Sequence, residues 1–171
     1  MIRKSKINDI EKLSDFYDNV IIYLDKHINY PKWKYKIYPS IISVTEMTKQ
    51  EFQYIYFDDE NNIIGAFVLN NDPEGSYHKC IWSKNINKFM VIHAFAVNPN
   101  NYGKHIGTEM LQFAINKAKE LGFDGIRLDV VPENYPAKKF YENNGFKYVA
   151  DIDLEREIED IPLFSLYELY F

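Results

Sequence analysis

The stretch from Val91 to Gly107, VIHAFAVNPNNYGKHIG, constrains this chain most. An apolar run broken by one histidine reads as a buried strand. The polar segment after it reads as a glycine-containing turn, and the residues from Ile106 onward as a helix. Strand-to-helix turns of this kind are common in α/β proteins, and Gly103 and Gly107 serve a tight turn and close helix packing in any of them. The same geometry also makes an anion site. Amides in the first helical turn have no intrahelical partner, and the helix dipole adds positive potential there. The turn offers no obvious nucleophile, so the reading predicts a phosphorylated ligand that belongs to a cofactor.

The rest of the composition bounds the possibilities. With 171 residues, 46% of them hydrophobic and 16% aromatic, the chain predicts one well-packed domain over 1–171. No apolar run approaches the ~20 residues of a bilayer span, and MIRKSKINDIEKL has no signal-peptide core, which predicts a cytoplasmic protein without membrane contact. One cysteine, Cys80, excludes an intrachain disulfide. The four histidines show no metal-ligand spacing, so no metal is expected. A net charge of −5 argues against nonspecific nucleic-acid binding and favours a cationic or neutral small partner.

Along the chain, Asn8 and Glu11 predict a capping box for a first helix carrying Ile10, Leu13, Tyr17, Val20 and Ile21 on one face. The segment HINYPKWKYKIYPS is too rich in proline for a continuous helix, and a short helix to about Lys49 follows. FQYIYF and IIGAFVLN flank a polar turn as a hairpin, with a loop over 72–87 after it. Phe89 to Val97, Ile106 to Leu121 and Gly125 to Val131 predict a right-handed βαβ unit. A short helix from Tyr135 to Asn143 ends at Gly145, and strands over 146–152 and 163–171 flank DLEREIED, read as solvated surface. The last strand either ends at an exposed edge or pairs with a second copy, which leaves a homodimer possible.

Two motifs in this order resemble the GNAT superfamily of acetyl-CoA-dependent N-acetyltransferases. AVNPNNYGKHIG resembles its pyrophosphate motif, a strand ending in Val-x-Pro followed by Arg/Gln-x-x-Gly-x-Gly/Ala. Val97, Pro99, Gly103, Ile106 and Gly107 fit, whereas Tyr102 replaces the Arg or Gln and His105 replaces a Gly. NYPAKKFYENNGF resembles the family's Asn-x-x-Ala-x-x-Phe/Leu-Tyr-x-x-x-Gly-Phe signature. The resemblance implies an α/β fold with a mixed sheet of about seven strands, about four helices, and a splayed strand pair holding the cofactor.

It also implies roles. The backbone of Phe95 and Val97 would bind the cofactor, with the Phe95 N–H near the acetyl oxygen. Tyr102, Gly103, Lys104, His105, Gly107 and Thr108 would surround the pyrophosphate, with φ > 0 at His105 carrying a cost. Asn134 would contact the pantetheine or phosphate arm, and Tyr141 would protonate the leaving thiolate. His93 and Asp129 compete as general base. His93 is ranked first because a strand period of two puts it on the face of Phe95 and its ordinary pKa of about 6.5 suits the task. The bland alternatives are a satisfied core histidine and a salt-bridged carboxylate. Trp33, Tyr38 and Trp82, with Tyr23 and Tyr35, are candidates for an acceptor pocket. The implied activity is acetyl transfer to a primary amine of a small molecule, peptide or protein. The alternative is a non-catalytic acyl-CoA-binding or sensing domain. A nucleotide-binding domain would need a P-loop or Gly-x-Gly-x-x-Gly turn, and neither is present.

Overall fold

The computed structural model describes residues 1–171 and divides into two compact units, Met1–Leu69 with Ile92–Ala114 and Asn70–Val91 with Ile115–Phe171. In the first unit the chain opens with strand β1 (Ile2–Lys4), absent from the sequence expectations because three residues are too few to show a period of two. Helix α1 (Ile10–Asp25) buries Leu13, Phe16, Tyr17, Val20 and Ile21, the i, i+3, i+4 stripe. Its entry differs from the expected Asn8/Glu11 box. A single 3₁₀ turn, Ile7–Asp9, precedes it, and the Asp9 carboxylate accepts the Lys6 N–H at 2.7 Å. Arg3 holds the same carboxylate at 2.7 and 3.0 Å, so the acceptor at this start is Asp9 and not Asn8.

Helix α2 (Ile41–Lys49) begins as expected, with Ser40 and Ser43 bonding each other's amides at 3.4 and 2.9 Å. Strands β2 (Gln53–Phe57) and β3 (Ile63–Asn70) form the antiparallel hairpin, with Tyr54 opposite Phe67 and Ile55 opposite Ala66. Asp58 closes the turn by accepting the amides of Glu60 and Asn62. β1 pairs antiparallel with β2, Lys4 opposite Tyr54. Strand β4 (Phe89–Val97) passes from the second unit into the first and leads to helix α3 (Ile106–Glu120). Gly65 lets α3 approach β3, since a Cβ there would lie 2.3 Å from the Met110 sulfur.

In the second unit, Phe89–Val91 of β4 pair in parallel with Gly125–Arg127 of β5 (Gly125–Val130). Helix α4 (Tyr135–Asn143) carries Pro136 in its first turn, and strands β6 (Lys147–Ile152) and β7 (Phe164–Tyr170) follow. β7 runs antiparallel along the whole of β5 and also pairs with β6, which corrects the expectation of a last strand at an exposed edge or paired with a second copy, because both of its sides are bonded within the chain. The parallel β4–β5 ladder covers only three residue pairs, whereas the β5–β7 ladder covers six. The strand order is β1-β2-β3-β4-β5-β7-β6, a mixed seven-stranded sheet with four helices, as the resemblance implied.

Each unit has its own apolar cluster. Leu13, Tyr17 and Val20 pack with Val44, Ile55 and Ala96 in the first. Tyr77, Val91, Leu154, Phe164 and Leu166 pack together in the second. No helix is long and apolar enough to cross a membrane.

Candidate active site

In the first unit, the chain leaves β4 through a 3₁₀ turn, Pro99–Asn101, entered by Asn98, whose side chain accepts the Asn100 N–H at 3.0 Å. Tyr102 donates its amide to the Pro99 carbonyl at 3.2 Å and Lys104 to that of Asn101 at 3.3 Å. Gly103 takes a φ of 76°. His105 takes 61°, so the cost foreseen for a non-glycine at this position is present. The first helical bond of α3 runs from Glu109 N–H to His105 C=O at 3.0 Å. The amides of Ile106, Gly107 and Thr108 lie ahead of it, the donor set an anion at a helix start requires. Tyr102, half exposed, packs its ring edge-on to Tyr23 at 6.2 Å. Beside this turn a cavity of about 480 Å³ follows α1, lined among others by Asp15, Asn19, Tyr23 and Asn98. Tyr23 alone of the acceptor candidates lines it.

His93 is buried on β4, and Phe95 packs its ring 5.8 Å from Phe67. Between them Ala94 has a φ of 47° within the strand. A left-handed residue inside a strand interrupts the regular pleat. The Ala94 carbonyl accepts the Tyr17 hydroxyl at 2.8 Å. Gln53, itself buried, reaches the same hydroxyl at 3.4 Å and the Phe67 carbonyl at 3.0 Å. Burial holds the Tyr17 phenol well above its ordinary pKa, with the Gln53 contact opposing. The helical spacing of α1 places Tyr17 in its apolar stripe. A single phenol within such a stripe was the available signal, since a buried tyrosine hydroxyl usually finds a partner.

In the second unit, Asn134 caps α4, its side-chain oxygen accepting the Ala137 N–H at 3.2 Å. Tyr141 lies on the buried side of that helix between Phe140 and Phe146, ring centroids 5.2 and 5.5 Å away. Burial first, and the negative charge of Asp129 second, raise its pKa, so the phenol keeps its proton.

Asp129 is engaged at both oxygens. Arg156 donates to each at 2.7 Å, and the buried Tyr77 hydroxyl donates to Oδ2 at 2.7 Å. The Tyr77 phenol is pushed well above its ordinary value, mainly by burial and then by Asp129. Arg156 also bonds the carbonyl oxygens of Pro73 and Glu74 and lies over the Phe164 ring at 4.8 Å. This corrects the reading of DLEREIED as wholly solvated, because its arginine turns inward with 17% of its side chain exposed. The neighbours Glu155 and Glu157, at φ 57° and 52°, are the left-handed residues on either side of it.

The acceptor candidates divide. Trp33 lies edge-on to Tyr17 at 6.1 Å and to Tyr38 at 6.5 Å in the first unit, and Asn29 brackets the Trp33 backbone at N and O. Trp82 belongs to the second unit, where it covers the Arg127 guanidinium at 4.0 Å and donates to the Tyr77 carbonyl at 3.0 Å.

The mixed seven-stranded sheet with an anion-ready turn after its fourth strand is the arrangement the resemblance implied. The profile of the Acetyltransferase (GNAT) family matches residues 19–146, and the chain belongs to that family. It is similar to an uncharacterized N-acetyltransferase of Methanocaldococcus jannaschii, 30% identical over 152 residues. That match covers 86% of this chain and 62% of the relative. Solved structures share the fold. A GNAT-family acetyltransferase from Streptococcus agalactiae superposes with a TM-score of 0.81 at 14% identity, over 100% of this chain and 95% of that one. One from Listeria monocytogenes gives 0.78 at 17%, over 100% and 94%. The PaiA N-acetyltransferase of Thermoplasma acidophilum, solved in complex with coenzyme A, gives 0.73 at 20%, over 100% and 98%.

Proposed function

We propose that the 171 residues work as one N-acetyltransferase domain that moves an acetyl group from acetyl-CoA to a primary amine on a small molecule, peptide or protein. The observation that carries this reading is Tyr141: a buried phenol that keeps its proton, at the family's acid position, on a helix capped by Asn134. The three amides ahead of the first bond of α3 suit a pyrophosphate. When bound, acetyl-CoA supplies an acyl thioester, a carbonyl carbon open to direct attack with a thiolate as leaving group.

The chain's own residues then handle protons and charge. His93 takes the proton that the amine loses as its nitrogen bonds to the carbonyl carbon. The Phe95 amide stabilises the negative charge on the acetyl oxygen, and Tyr141 O–H protonates the sulfur as the C–S bond breaks. Asp129, gripped by Arg156 and Tyr77, acts by holding charge near Tyr141 rather than as the base. Lys104 and the backbone at Gly103, His105, Gly107 and Thr108 serve the pyrophosphate, and Val97 and Asn134 the pantetheine arm. Trp33 and Tyr38 serve the acceptor.

Calorimetry with acetyl-CoA tests the cofactor: micromolar binding weakened by Asn134→Ala supports the reading, and absence of binding removes it. Tyr141→Phe should lower turnover about 10²–10⁴-fold with little change in cofactor affinity. A second reading, an acyl-CoA sensor without transfer, is favoured by Tyr102, which sets a ring against Tyr23 where the family carries a cation or amide. Cofactor binding with no acetyl transfer across a broad amine panel would select it.

A further inference from the structure

We infer that Tyr17 is a positioning residue: by donating to the Ala94 carbonyl it aims the Phe95 amide at the acetyl oxygen. This rests on the proposed acetyl transfer and adds to it a residue outside both sequence motifs. The argument begins with the peptide unit. The carbonyl of Ala94 and the N–H of Phe95 belong to one planar trans peptide, so they point in opposite directions and turn together. A hydrogen bond that fixes the carbonyl therefore fixes the amide. Tyr17 makes that bond at 2.8 Å from a fully buried position on α1.

The bond is needed where it falls. Ala94 has a φ of 47° inside a strand, a conformation that costs a non-glycine residue free energy and persists only where its surroundings enforce it. Without the phenol, the strand could relax toward the regular pleat and carry the Phe95 N–H with it. Tyr17 is itself held. Gln53 approaches its hydroxyl, Phe16 meets its ring at 5.4 Å, and Trp33 packs edge-on at 6.1 Å. Trp33 in turn meets Tyr38 at 6.5 Å. The aromatic contacts thus run from the segment proposed to receive the acceptor to the carbonyl that sets the amide. Accepting a hydrogen bond at its carbonyl also polarises the peptide, which makes the Phe95 N–H a stronger donor.

The test uses the full chain and two ligands that differ by the acetyl group. Wild-type protein should bind acetyl-CoA more tightly than CoA, because only the former offers the acetyl oxygen. Tyr17→Phe keeps the ring and its packing, and it should bring the two affinities together while leaving that for CoA unchanged. Turnover should fall about tenfold, short of the 10²–10³ that outright loss of such a donor costs, with the KM for acetyl-CoA rising by no more than the wild-type ratio of the two affinities. A purely structural role would move the melting temperature and spare these ratios. Tyr17→Phe/Ala94→Gly separates the two, since glycine takes the left-handed conformation without its cost and should recover part of the turnover as well as the stability, whereas stability regained with no gain in turnover counts against the positioning role. Turnover within twofold of wild type in Tyr17→Phe, or retained preference for acetyl-CoA, overturns the role of Tyr17. If wild type binds neither ligand, the acetyltransferase reading itself fails, a result distinct from either of those.

Discussion

Removing the Arg156 side chain should be among the most damaging single changes in the second unit. Asp129 has 9% and Arg156 17% of its side chain exposed, and the two form a bidentate pair with both contacts at 2.7 Å. Arg156→Met would leave a mostly buried carboxylate with only the Tyr77 hydroxyl, and would free the carbonyl oxygens of Pro73 and Glu74. Breaking a buried pair from one side costs about 3–5 kcal/mol. The residual exposure of the arginine puts the expectation near the lower end, about 3 kcal/mol. At roughly 2–4 °C per kcal/mol for a chain of this size, the melting temperature should fall by about 6–12 °C. Urea unfolding followed by circular dichroism measures it. The double variant Asp129→Asn/Arg156→Met, which leaves no buried charge, should recover more than half of the loss. A cost below about 1 kcal/mol for the single change, or a double variant as unstable as the single, would refute the account of a desolvated, mutually dependent pair.

Other expectations follow from named contacts. His105→Gly relieves the φ of 61° and should stabilise the protein by about 0.5–1 kcal/mol in thermal unfolding, whereas a loss would mean that the imidazole has a structural partner. Gly125→Ala sets a Cβ 2.6 Å from the Leu169 carbonyl, a backbone atom, so a drop of several degrees in melting temperature is expected; a neutral result would show that β5 and β7 can part there. Tyr56 donates to Glu109, and that hydrogen bond is the main cause that pushes its pKa up to about 12 from 10.0. A folded value above the unfolded one gives stability that is complete below pH 10 and lost as the pH rises toward 12. Glu109→Gln should flatten this alkaline loss, and an unchanged profile of stability against pH between 10 and 12 would argue against the pair.

The local elements were set by the sequence because their causes are local. The α1 stripe from Leu13 to Ile21, the paired serines at the start of α2, and Pro136 in the first turn of α4 act within a few residues of themselves. The strand-to-helix turn was legible for the same reason, down to the cost at His105, because the family motif wants glycine where histidine stands. The motif around Asn134 and Tyr141 was legible by resemblance.

Long-range partners were not legible. No pattern in the sequence links Tyr17 to Ala94, seventy-seven positions away, or Arg156 to Asp129 and the Pro73 carbonyl. A charged run looks the same in sequence whether its arginine faces water or a buried carboxylate, and a tyrosine in an apolar stripe looks like packing until its hydroxyl finds an acceptor. The left-handed Ala94 is the clearest case. Alanine has no intrinsic preference for a positive φ, so the conformation of the strand that carries His93 and Phe95 was decided by tertiary contacts that compensate its cost.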